Sequence, residues 1–148
     1  RFLVMINCFR IGLIRQGLTH DLSKYFPTEF WAGAKYYQGT RSPNAAERER
    51  NGYSTAWIHH KGRNRHHYQY WTDLSPVTRQ YEPVEMPYKG ADYTDGAPLE
   101  YFTASGEGSL MHPTTRHQLE VILTMLRDQG EAATFRFIRQ VVLTGKAF

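Results

Sequence analysis

The chain has 148 residues, 41% hydrophobic and 22% charged, a size and balance that fit one soluble globular domain with a buried core and exclude a low-complexity tract. Its formal charge of +4, from 18 basic and 14 acidic residues, is too mild to mark a nucleic-acid binder, although it suits a phosphate-bearing small molecule or nucleotide as partner. The single cysteine, Cys8, excludes an intrachain disulfide and fits a reducing, cytoplasmic compartment; no apolar run approaches the roughly 18 residues of a membrane span, so no membrane partner is expected.

From the N-terminus, Phe2, Met5 or Ile6, Phe9, Leu13 and Gln16 or Gly17 recur at three- and four-residue steps and predict a helix over residues 1–19, with Cys8 as a small core residue. The pattern opens in mid-helix without an initiator methionine, so a preceding stretch is expected. Thr19 is the candidate cap of an element that carries His20, Asp21 and Lys24. Pro27 suits the first turn of a further helix, with Glu29 in that turn and Phe30, Trp31, Tyr36 and Tyr37 following. Residues 39–43 read as a loop. From Asn44 a longer helix is expected: residues 45–50 are strong helix formers, Glu47 lies three before Arg50, and Tyr53, Trp57 and His60 continue one face. Gly62 and Asn64 end or kink it, and a second piece holds His66 to Trp71.

Residues 75–110 read as an irregular connection, rich in proline and glycine, with a flexible turn over 103–110. Pro113 then opens a helix through Leu119, Ile122, Leu123 and Leu126 that stops near Gly130; residues 131–143 give another, with Phe135, Ile138, Val141 and Val142 as its apolar side. These two predict a helical hairpin. No strand-like alternation is visible. The expected fold is all-α, a single-domain helical bundle over residues 1–148.

Five of the seven histidines lie between His20 and Trp71: His20 is followed by Asp21, and His59-His60 and His66-His67 bracket a short turn. Imidazole and carboxylate are the ligands that zinc, iron, manganese and nickel accept. His60 and His67 are seven apart, as are His59 and His66. An unbroken helix would hold either pair about 10 Å apart, too far for one ion without a bend, for which Gly62 and Asn64 are suited. Alternatively each histidine serves a different ion of a two-metal site. The inward pair is expected to be His60 and His67, because Tyr53, Trp57 and Trp71 share their face, with His59 and His66 as substitutes or additions.

The expected cofactor is therefore one or two divalent transition-metal ions bound through His20, Asp21 and the clustered histidines. Lys24 lies one turn from Asp21, placed to stabilise negative charge. Glu29 is either an additional ligand, a general base, or a first-turn acid that complements the helix dipole. Arg63 and Arg65 either grip a phosphate or form a solvated turn. His112 and His117 read as structural or exposed. The competing class is non-enzymatic: a helical binding or assembly protein whose histidines hold a structural metal or a polar core.

The string His20-Asp21-Leu22-Ser23-Lys24 resembles the His-Asp-x-x-Lys signature of the HD superfamily of metal-dependent phosphohydrolases. That resemblance implies an HD-domain-like bundle and hydrolysis of a phosphate ester. The chain is also similar to a family of uncharacterised bacterial and phage proteins, through residues 17–25 with Pro27-Thr28-Glu29-Phe30, residues 39–43, residues 57–71 and the C-terminal hairpin; that family implies no activity. Two departures stand out. HD proteins use a histidine one helix before the His-Asp pair, and none precedes His20. They also use a late aspartate. Members similar to this chain carry a further acidic helix after a Met-Pro like Met86-Pro87, so a segment is expected to be missing between Lys89 and Gly90; otherwise Asp73, Asp92 or Asp95 must supply the last carboxylate.

Overall fold

Gly12 decides how the N-terminal apolar pattern folds. Its φ of +89° lies in the left-handed region, which an α-helix cannot contain, so the single helix expected over residues 1–19 is two helices with a turn between them. The computed structural model describes residues 2–86 and 98–146. Its elements are α1 (Phe2–Arg10), α2 (Ile14–Thr19), α3 (Pro27–Tyr36), α4 (Pro43–Asn51), α5 (Thr55–Lys61), β1 (Thr72–Leu74), β2 (Tyr81–Pro83), α6 (Pro98–Ser105) and α7 (Pro113–Phe137). Short 3-10 turns lie at Leu22–Tyr25, Tyr68–Tyr70 and Glu107–Leu110, and a π turn at Ile138–Val142. The described chain is thus mostly helical. Among the described residues no helix is long and apolar enough to cross a membrane. Lys89, Gly90, Asp92 and Asp95, and with them the expected missing segment, lie outside the described residues.

By its internal contacts the chain divides into two compact units, Arg1–His20 with Trp71–Phe148, and Asp21–Tyr70. In the first, α1 and α2 approach closely because residue 17 is glycine: a β-carbon there would meet Cys8 Cβ at 2.8 Å. Cys8 is fully buried, as its apolar neighbours predict. The core joins Ile11, Ile138 and Val142, with Leu13, Ile122, Phe135 and Phe137 packed around them. A straight helix would hold Ile122 and Ile138 about 24 Å apart. Their common cluster therefore requires the chain to bend sharply between them, and Gly130 (φ 75°, ψ 175°) is the non-helical residue that does it. His112 caps α7: its Nδ1 accepts from Thr114 N at 3.3 Å, with Pro113 in the first helical turn. His117 is exposed.

The all-α expectation needs one amendment. β1 and β2 pair antiparallel in the register Thr72↔Pro83, Asp73↔Glu82 and Leu74↔Tyr81, continued by bonds from Ser75 N to Gln80 O and from Val84 N to Trp71 O, each 2.9 Å. All six paired residues are exposed. A ribbon with no buried face has no apolar alternation to betray it. Within residues 75–110 the chain also forms α6 and the Glu107–Leu110 turn.

In the second unit, α3 packs against both α4 and α5. The long helix expected from Asn44 is broken, again by a glycine: Gly52 (φ 81°) ends α4 and donates to Arg48 O. Ser54 starts α5 anew, its Oγ accepting from Trp57 N at 3.0 Å. Glu47, spaced as a surface partner for Arg50, is instead buried beneath this junction. It accepts from Ser54 Oγ at 2.7 Å, Thr55 Oγ1 at 2.5 Å and Ala56 N at 3.5 Å. Burial opposes its charge, but those hydrogen bonds outweigh the penalty and hold its carboxyl below the usual range.

Candidate metal centre

Asp21 opens the second unit with a left-handed backbone, φ 58° and ψ 21°, a conformation that aspartate tolerates better than most residues. Its Oδ2 is ion-paired with Lys24 Nζ in the 3-10 turn that follows. Its Oδ1 lies 3.2 Å from His60 Nε2 and 3.5 Å from His66 Nε2. The two oxygens thus have separate tasks: one is tied to a cation on the same turn, the other faces imidazole nitrogens.

His60 lies in the last turn of α5 and is 4% exposed. Its other nitrogen, Nδ1, is 2.8 Å from Glu29 Oε2 and 2.9 Å from Ser23 Oγ. Glu29, buried in the first turn of α3, reaches His59 Nδ1 with its second oxygen at 2.7 Å. Side chains of adjacent helical residues point about 100° apart, and here one carboxylate spans the seam between both rings.

The bend anticipated at Gly62 and Asn64 is present. α5 ends at Lys61, Gly62 follows as its C-cap, and Asn64 Nδ2 donates to His60 O and to Ser23 Oγ, both at 2.7 Å. Asn64 therefore secures the end of α5. Beyond it the chain turns back, so His66 and His67 meet His60 at ring-centroid distances of 6.1 and 4.8 Å, and each other at 4.2 Å. Trp57 packs on this group, 5.8 Å from His60 and 5.0 Å from His67, with the Arg48 guanidinium 5.6 Å from its own ring.

Asp21, His60, His66 and His67 each bring one potential ligand atom, and these atoms all lie within 4.8 Å of one another. Two donors on one ion at about 2.0–2.2 Å can be at most about 4.4 Å apart. That limit applies to donors on opposite sides of the ion; in a tetrahedral set they lie about 3.4 Å apart, so holding one ion would draw the widest pair together by up to roughly 1.4 Å, a movement within reach of side-chain rotation. The donor set, three borderline nitrogens and one hard oxygen, suits a divalent transition metal.

The chain belongs to DUF5662, a family of unknown function. The family's sequence model matches residues 1–91, so it takes in the whole of Asp21–Tyr70. No curated protein and no solved structure matches the chain.

The charge balance of this DUF5662 site favours a cation. Burial disfavours a charged His60 ring, yet the hydrogen bonds and charges of Asp21 and Glu29 outweigh it and raise the His60 pKa above its ordinary 6.5. Asp21 and Glu29 set two buried carboxylates on either side of the His60 ring, an arrangement that suits a proton on that ring or a metal ion beside it.

Of the residues singled out by sequence, Asp21, His60, His66 and His67 converge. His66, expected as a substitute for or addition to the inward pair His60 and His67, joins both of them. His59 faces Glu29, and Glu29 stands behind His60 on the side away from Asp21 Oδ1. Lys24 holds Asp21 with its side chain 58% exposed. Arg63 and Arg65 are both exposed; the Arg65 guanidinium lies 5.8 Å from the Tyr70 ring centroid. His20 is buried and is the last residue of the other unit; it is not one of the four. Asp73, an alternative late carboxylate, pairs with Glu82 across the exposed ribbon. Ser23 escaped the sequence reading, since a serine inside a turn carries no signal until its bonds to His60 and Asn64 are seen.

Proposed function

We propose that Asp21, His60, His66 and His67 hold one divalent transition-metal ion (zinc, iron, manganese or nickel) and that the chain uses it to hydrolyse a phosphate ester. The observation that carries the proposal is the convergence of one carboxylate and three imidazoles. It is reinforced by Glu29 behind His60, since metal-bound histidines almost always give their second N–H to a carboxylate, carbonyl or water. Bound there, the ion would supply Lewis acidity and a lowered pKa for water. Lys24, exposed along most of its side chain while paired with Asp21, is the residue placed to meet a phosphate oxygen. Arg63 and Arg65 offer further exposed cations. The motif His20-Asp21-Leu22-Ser23-Lys24 is what supports an HD-like character.

One observation favours a second reading. Four protein ligands fill a tetrahedral ion, the pattern of structural zinc, whereas a six-coordinate ion keeps two positions for water and substrate. The test is metal analysis after metal-replete purification, spectroscopy of the cobalt-substituted protein, and a phosphoester panel with Asp21→Ala and His60→Ala controls. One ion per chain, more than four-coordinate, with hydrolysis lost in both variants, supports the enzyme. A four-coordinate ion with no hydrolysis establishes the structural reading, and no stoichiometric metal removes both.

A further inference from the structure

The opposite end of α3 from Glu29 carries a second feature. Lys35 lies six residues beyond Glu29, about 9 Å along the helix axis, and with Tyr36, Gln38, Arg41, Ala46, Glu49 and Arg50 it lines a pocket of about 260 Å³ between α3, the following loop and α4. Three cations and one carboxylate line it. The carboxylate, Glu49, is already engaged by Arg41 Nη2. Arg41 also donates from Nε to Gln38 Oε1 at 2.7 Å, a contact that orients its guanidinium along the pocket wall. Tyr36 OH accepts from Asn51 Nδ2 at 3.0 Å, which leaves its own proton to donate. Among the described residues no carboxylate pairs with Lys35 or Arg50. The wall therefore presents donors and two positive charges that no described carboxylate pairs with, Lys35 Nζ lying 5.4 Å from the Tyr36 ring centroid, and its volume falls just below the range of small-molecule sites.

We propose that this pocket binds a small phosphate-class oxyanion, either free phosphate or the phosphate group of a small ester, independently of the metal centre. Arg41 and Arg50 supply charge-assisted hydrogen bonds of the kind guanidinium makes to phosphate, with Lys35 and the Tyr36 hydroxyl completing the donor set. Chelator-treated protein would be titrated calorimetrically with inorganic phosphate and, separately, phenyl phosphate at constant ionic strength. Saturable binding of one oxyanion per chain is expected, weakened about tenfold by Lys35→Ala and by Arg50→Ala and unchanged by Arg139→Ala, an exposed cation of the other unit. The tighter of the two probes identifies the source of the phosphate. Amide shifts should centre on Lys35, Tyr36, Arg41 and Arg50. Absence of saturation with both probes, equal weakening by Arg139→Ala, or shifts centred on residues 60–67 would overturn the proposal. Because the protein is metal-free, none of these outcomes depends on the metal reading.

Discussion

Glu29 and Glu47 are both glutamates buried in the second unit, 6% and 3% exposed, and both accept several hydrogen bonds, yet they do different work. Glu47 takes its protons from Ser54, Thr55 and a backbone amide, all neutral groups at the start of α5. Glu29 takes its bonds from His59, His60 and Ser23. Neutral donors that never titrate make a structural joint. Imidazole partners link the carboxylate, through His60, to Asp21 and the neighbouring histidines, and so to whatever that group binds. Burial alone does not separate a fold-holding acid from a site-forming one; the chemistry of its donors does.

The hardest test of that distinction removes the inner ligands. Asp21→Ala and His60→Ala should each lower zinc affinity by more than about 100-fold, beyond the range seen for outer partners. Titration followed by Trp57 fluorescence reads this directly, since Trp57 lies against His60 and His67. Next in size is Glu29→Gln, which keeps the volume but takes away the carboxylate that can accept from both rings; a loss of about 10–100-fold in metal affinity is expected. If Glu29→Gln binds zinc as wild type does, the outer role of Glu29 is wrong even though the centre stands. Glu47→Gln should show the converse. It should cost about 1–3 kcal/mol of unfolding free energy by leaving buried donors poorly matched, measured by urea denaturation of the metal-free protein, with zinc affinity per folded molecule unchanged.

Much of the site was legible because its chemistry lies in a few short stretches of sequence. A cluster of histidines at sevenfold spacing, with Gly62 and Asn64 between them, requires a bend if it is to serve one ion, and the bend is there. Which of His59 and His66 would join His60 and His67 was not legible, since their seven-residue spacing treats both alike; once the chain reverses after Asn64, His66 faces Asp21 while His59 faces Glu29. Helix boundaries were lost where glycine takes a positive φ: Gly12 and Gly52 each divide a continuous apolar or helix-forming pattern, and composition does not reveal which glycines will do so. The β1–β2 ribbon was invisible for the opposite reason, having no buried face. Glu47 misled because its spacing to Arg50 fits a surface pair, while its partners lie across a break that the pattern conceals.

The smallest expected effect, and the one that contrasts the two glutamates most directly, is pH dependence. Glu47 has a folded pKa below its unfolded 4.5. Its contribution to stability is thus fully present above the unfolded value and is lost as pH falls through the folded one; Glu47→Gln should flatten that acid limb of the urea midpoint while leaving neutral-pH behaviour parallel to wild type. His60 shifts the other way, its pKa raised above 6.5 by Asp21 and Glu29 against the opposing effect of burial. In metal-free protein its contribution is fully present below 6.5 and lost as pH rises through the raised value. Zinc inverts the outcome, because an ion needs the unprotonated ring: affinity should fall as pH drops through that same range. The acid limb should therefore follow Glu47 with or without metal, whereas the limb near neutrality should reverse sign when zinc is added. A near-neutral limb that zinc leaves unchanged would separate His60 from the ion and place Glu29 beside Glu47 as a second structural acid.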